Sequence, residues 1–101
     1  MRIINNPDFS QELKEILKYI ANDKPSASKK FSKELKNNTK LILDNPYMYP
    51  PSFYFNDKDV RDMTYKKYTI VYQVSLERNT IEMMKIFKKN KPQWKFRYNK
   101  T

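Results

Sequence analysis

The stretch DVRDMTYKKYTIVYQV, residues 59–74, decides the fold. From its middle onward Tyr68, Ile70, Tyr72, Val74 and Leu76 alternate with Thr69, Val71, Gln73 and Ser75. Successive side chains of a strand point to opposite faces, so this period of two predicts a half-buried strand over Tyr68 to Leu76, apolar on one side and polar on the other. Val60 to Thr64 is long enough to pair with it, and Lys66-Lys67 fits the tight reversal that joins two antiparallel strands. Downstream, Glu77-Arg78-Asn79 reads as a second turn. Asn79 is its residue best suited to a positive φ in a chain that contains no glycine. Ile81 to Phe87 then forms the last strand.

Upstream of the hairpin the period changes to that of helices. MRIIN reads as a short first strand ending near Asn5, broken by Asn6-Pro7-Asp8. Asp8 is the expected N-cap, with Gln11 three residues on completing a capping box, and Phe9, Leu13, Ile16, Leu17 and Ile20 follow at helical spacing. The first helix is expected over Asp8 to Ala21. Pro25 suits the first turn of a second helix, in which Ala27, Phe31, Leu35, Asn38 and Ile42 form one face and Lys29, Lys33, Lys36 and Lys40 a solvated opposite face. Asn45-Pro46 should stop it, because proline disfavours a helical residue before it. So short a connection makes the two helices an antiparallel hairpin. YMYPPSFYFND is left as a proline-rich aromatic loop crossing from helices to sheet.

One hundred and one residues suffice for one core, which a 15% aromatic content helps to fill. With no cysteine and no histidine, disulfides, thiolate nucleophiles, Cys/His metal sites and a Ser-His-Asp relay are excluded; no metal and no cofactor is expected. The first twenty residues are interrupted by Asn, Pro, Asp, Glu and Lys, and no apolar run nears the roughly 20 residues of a membrane span. The expectation is a cytoplasmic protein with no membrane partner. Of the net charge of +10, seven bases and no acid lie in residues 85–101, leaving +3 for the first 84. A polyanionic partner explains such an excess, and so does the codon usage of an AT-rich genome, which favours Lys, Asn, Ile, Tyr and Phe.

The order β-α-α-β-β-β, together with KPSASKKF, LILDNPYMYP, VRDM, YTIVYQV and MMKIFKKN in that sequence and spacing, resembles the RelE/ParE superfamily of toxins from bacterial toxin–antitoxin modules, and within it the ParE-like plasmid-stabilisation toxins. The resemblance covers about residues 1–91, leaving 92–101 as a basic aromatic tail. It implies an α+β fold in which the helical hairpin packs on one side of a curved, mainly antiparallel sheet. It also implies a cognate antitoxin that wraps and silences the toxin. RelE-like members cut messenger RNA in the ribosome, whereas ParE-like members poison DNA gyrase without known hydrolytic chemistry.

The hairpin discriminates between these branches. The RelE-like pattern places two lysines two residues apart on the second strand and an arginine after the tyrosine that opens the third, and the corresponding residues here are Val60, Asp62 and Thr69. An aspartate where a cation should meet a phosphate removes attraction and adds repulsion. The resemblance therefore favours ParE-like gyrase binding, with Arg61, Lys85, Lys89, Trp94 and Arg97 as the candidates for target or antitoxin contact. Arg61 is read first as a structural residue paired with a carboxylate, then as a contact residue. Tyr68 and Tyr72 are read as core. Lys66 and Lys67 are solvated turn residues unless a ligand engages them. The tail either docks on the sheet through Trp94 and Phe96 or stays free to bind. No catalytic set stands out. The alternatives are a ribosome-dependent endonuclease using Arg61, Lys66, Lys67 and Lys89, and a non-toxic relative that only binds.

Overall fold

The alternating stretch lies at the centre of a four-stranded sheet in the computed structural model, which describes residues 1–88 of the 101. The elements are β1 Arg2–Asn5, α1 Pro7–Asp23, α2 Pro25–Asp44, β2 Val60–Tyr65, β3 Tyr68–Ser75 and β4 Thr80–Lys88. The sheet order is β1-β4-β3-β2; β1 runs parallel to β4 and the other pairs are antiparallel. This is the α+β architecture, helical hairpin on a mainly antiparallel sheet, that the family resemblance implied.

The helices form where apolar spacing and punctuation agree, with one correction at the start of α1. Asn6, not Asp8, is the N-cap: its Oδ1 accepts from the Asp8 N–H at 2.8 Å, while Pro7 takes the first helical position. Proline lacks the N–H that is unsatisfied there in any case, which shifts the cap to the residue before it. Gln11 does not reach back to close a capping box; it donates to Glu15 Oε2 at 3.0 Å, one turn on. The hairpin between the helices is fastened by Ser28 Oγ, which donates to Leu17 O at 2.8 Å. α2 ends at Asp44 with Asn45 as C-cap, before Pro46.

The main core lies between the helices and one sheet face. Phe9, Phe31, Leu35 and Ile42 meet Met63, Tyr68, Ile70, Tyr72, Val74, Ile81, Met83 and Ile86. Tyr68 and Tyr72 are core residues, as expected. Phe31 stands edge-on to both Tyr65 and Tyr68, with ring centroids 5.1 and 5.3 Å away.

β3 departs from the expected half-buried strand. Thr69 and Val71, on its second face, are as buried as the residues that face the helices, because the segment after α2 folds over that side. Leu76 falls outside the strand and is 70% exposed, so it does not extend the apolar stripe. The two turns that need positive φ are held by Lys66 at 54° and Asn79 at 57°, the second as the sequence indicated.

Candidate functional site

Two places carry the side chains singled out from the sequence. They are the sheet face turned away from the helices, and the arginine-centred joint where the loop after α2 meets β2.

Val60, Asp62 and Thr69 share the face away from the helices, since Asp62 pairs with Val71 and Thr64 with Thr69 across the hairpin. They are only 2%, 8% and 3% exposed. What covers them is the aromatic loop, laid down as an extra strand-like segment. Ser52 N donates to Val60 O at 2.7 Å, Asp62 N donates to Pro50 O at 3.2 Å, and Pro51 bridges to Arg61. Tyr54 is thereby carried into a small second core with Val60, Val71 and Phe87, its ring edge-on to Phe87 at 5.1 Å. The sheet face is closed over its centre.

Asp62 is the chemical signature of this closure. Its Oδ2 accepts from the Phe53 N–H at 2.8 Å, so it fixes the loop that buries it, while its buried Oδ1 has no hydrogen-bond partner among the described residues. Burial pushes its carboxyl above the usual range, against the opposing pull of the Ser52 hydroxyl and the Phe53 N–H. A covered carboxylate beside an apolar cluster offers neither a cation for a phosphate oxygen nor access for a ribose. The same carboxylate helps to raise the pKa of the Tyr54 hydroxyl, after burial, which is the larger cause.

Arg61 lies on the opposite side of β2 and is bound by carbonyls and a ring. Nε donates to Lys58 O at 2.9 Å, Nη1 donates to Tyr49 O at 3.0 Å, and the guanidinium sits 4.7 Å from the Tyr47 ring centroid. The expected carboxylate pair does not form among the described residues; the nearby Asp59 is taken by Tyr47, whose hydroxyl donates to Oδ1 at 2.8 Å. Burial and that bond to Asp59 raise the Tyr47 pKa, and Arg61 partly offsets them. Tyr72 reaches the same joint, its hydroxyl donating to Pro46 O at 2.6 Å, and burial pushes its pKa up to about 12. Tyr47, Lys58, Asp59 and Gln73 open onto a shallow cleft of ≈ 580 Å³ that continues along Ser75 and Glu77.

The other sequence candidates are scattered. Lys66, at the hairpin tip, lies 3.7 Å from Glu34 and 5.5 Å from the Tyr65 ring centroid. Tyr65 also donates to Glu34, which lowers the Glu34 pKa and, with burial as the larger cause, pushes that of Tyr65 up to about 12. Lys67 is exposed beside it. Lys85 follows the point where the β3–β4 register slips and reaches α1, 3.2 Å from Glu12 and 3.7 Å from Asp8, with its side chain 23% exposed. Glu12 also accepts from Ile86 N at 3.0 Å, so this group ties α1 to β4. Lys89, Trp94 and Arg97 lie outside the described residues.

Arg61, Lys66 and Lys85 thus occupy three separate neighbourhoods and do not converge on one reacting atom. The residues missed in the sequence are Tyr47, Ser52, Tyr54 and Asp59, all from the aromatic loop or its exit. Their signal was the density of Tyr, Phe and Pro between residues 46 and 55, too rich for a plain connection. Among the described residues no three His, Cys, Asp or Glu side chains are placed to hold a metal ion, and no helix is long and apolar enough to cross a membrane.

Comparison with known proteins agrees with this fold. Residues 3–91 match the family of the ParE toxin of the type II toxin–antitoxin system, parDE. Among solved structures, a chain of the chromosomal ParDE TA system from P. aeruginosa superposes with a TM-score of 0.68 at 17% identity, covering 87% of this chain and 95% of that one. No curated protein sequence matches. The match over nearly the whole length, on an architecture of two helices against a four-stranded sheet, leads to one conclusion: the chain belongs to the ParE toxin family of type II toxin–antitoxin systems.

Proposed function

We propose that this ParE-family protein arrests growth by binding DNA gyrase, or gyrase on its DNA, and not by cutting a nucleic acid. The observation that carries this reading is the closed sheet face. At the three places where RelE-like ribonucleases resemble one another in being cationic, this chain has Val60, Asp62 and Thr69, all buried beneath the loop. A transition state that accumulates negative charge on phosphate gains nothing from a buried carboxylate.

Binding in this proposal falls to Arg61, Lys85, Lys89, Trp94 and Arg97, on a toxin domain of residues 1–91 followed by a basic aromatic tail at 92–101. An antitoxin silences the protein by folding an acidic, flexible segment onto the same surface, attracted by the charge excess. No cofactor takes part, and the site of action is the cytoplasm.

Induction of the gene in a growing bacterium, followed by assay of purified protein on gyrase, tests the proposal. Stalled supercoiling with accumulation of cleaved DNA is the expected result. Codon-positioned cuts in messenger RNA would instead select the ribosome-dependent endonuclease with Arg61, Lys66, Lys67 and Lys89 at its site. Unimpaired growth would leave a toxin relative that only binds.

A further inference from the structure

We propose that the outer face of α2 is a docking surface for the phosphate backbone of duplex DNA, separate from the joint and tail assigned above to gyrase. Lys29, Lys33, Lys36 and Lys40 recur at steps of four, three and four. At 3.6 residues per turn this places them within an arc of about 60°, in a row about 16 Å long. They line a shallow trough of ≈ 440 Å³ together with Ser32 and Asn37. All four are exposed, and none has an ion-pair partner among the described residues.

The row lies opposite the face that Phe31, Leu35 and Ile42 bury in the core, so the fold presents it outward on a rigid element. The acids of α2 do not relieve it. Glu34 sits on the flank, engaged by Tyr65 and Lys66, and Asp44 is the last helical residue. Each adjacent lysine pair destabilises the isolated helix by like-charge repulsion. A polyanion laid along the row removes that cost.

The chemistry of the trough selects the polyanion. A folding peptide would need apolar anchors to offset its ordering, and the trough lining is lysine, serine and asparagine throughout. A single strand would need aromatic platforms, and there are none in the lining. Lysine ammonium groups flanked by serine and asparagine are the donors that position a duplex through its phosphates without reading bases.

The test is fluorescence anisotropy of a short labelled duplex of arbitrary sequence with full-length protein, from about 50 to about 200 mM salt. Two variants with the same net charge are compared. One carries Lys29→Gln, Lys33→Gln, Lys36→Gln and Lys40→Gln; the other carries Lys14→Gln, Lys18→Gln, Lys58→Gln and Lys67→Gln, all at exposed positions and none of them lining the trough. Circular dichroism checks that both fold, and the single Lys36→Gln variant serves should the quadruple one fail. The row variant is expected to lose about one unit of the log–log salt slope per lysine, hence about 4, and the control variant much less. Equal losses in both variants would assign the binding to bulk charge and overturn the proposal. So would a row variant that binds duplex normally but loses affinity for polyglutamate, since the partner would then be an acidic protein. Gyrase is absent from the assay, so its outcome stands apart from that of the gyrase reading.

Discussion

The two faces of the sheet are covered by different means. On one, α1 and α2 deliver Phe9, Phe31, Leu35 and Ile42 at helical spacing onto Met63, Ile70, Tyr72 and Ile86, and the packing is apolar throughout its centre. On the other, a loop of irregular pattern delivers Tyr54 onto Val60, Val71 and Phe87 and closes around a carboxylate, one oxygen of which has no partner among the described residues. The first face is a load of buried area that any helical hairpin of this register would supply. The second is held by backbone hydrogen bonds from Ser52 and Asp62 and by the Arg61 fork, so its closure depends on a few polar contacts. Superfamily members that differ in chemistry can therefore share the helical side and diverge on the loop side.

Paired truncations sharpen this contrast most. Ile70→Ala, on the helix side, should cost about 2–5 kcal/mol, whereas Val71→Ala, its sequence neighbour on the loop side, should cost about 2 kcal/mol, because fewer methylene equivalents are lost and the loop can settle into the space. Urea denaturation measures both; a Val71→Ala cost above that of Ile70→Ala would erase the distinction between the faces.

Arg61→Ala removes two charge-assisted donors and a ring contact at the joint, and should destabilise by about 3 kcal/mol. Its local signature is faster amide exchange in the loop from Tyr47 to Lys58, with α1 unchanged. Arg61→Lys should recover little of this, because an ammonium does not reproduce a planar fork that serves two carbonyls and lies over a ring.

Asp62 supplies the pH test. Its folded pKa is raised above the ordinary 3.8, so the folded state holds this proton more tightly than the unfolded chain. Its contribution to stability therefore increases as pH falls from the raised value towards 3.8, and the ionised group is a cost at neutral pH. Asp62→Asn should abolish that component of the profile of melting temperature against pH. Because asparagine can still accept from the Phe53 N–H, the variant should be at least as stable as the parent at pH 7. An unchanged profile would mean that Asp62 is not desolvated.

The smallest effect is expected at the hairpin tip. Lys66 holds a positive φ of 54° that costs a non-glycine residue. Lys66→Gly should relieve this and leave stability higher by about 0.5–1 kcal/mol, the lost exposed pair with Glu34 offsetting only part of the gain. A loss of stability would show that the ion pair outweighs the turn.

The helix side of this molecule was legible in the sequence because period and punctuation coincide: Phe31, Leu35 and Ile42 recur by turns, Pro25 and Pro46 bracket them, and Tyr68 to Val74 alternate. The cap of α1 lies two residues before the Asp8 that the sequence suggests, since Asp8 and Asn6 are equally good acceptors and only the position of Pro7 separates them. The loop side was not legible. A strand covered on one face by helices and on the other by a loop shows the same alternation of Tyr, Ile and Val against Thr and Gln, and no local rule says that Tyr54 will travel back to Val71. Arg61 bonds to backbone carbonyls where the sequence suggests a carboxylate, because backbone carbonyls carry no sequence signal. For Lys85, a salt link to Glu12 and Asp8 on α1 follows from tertiary approach at a register slip, which the strand pattern alone does not reveal.

We propose action by binding because the loop-covered face is closed to phosphate chemistry. Mapping of messenger RNA 5′ ends in a reconstituted translation reaction supplied with the purified protein tests it most directly. Transcripts that remain intact through many rounds of elongation are the predicted result; cuts accumulating at ribosome-positioned codons would contradict it.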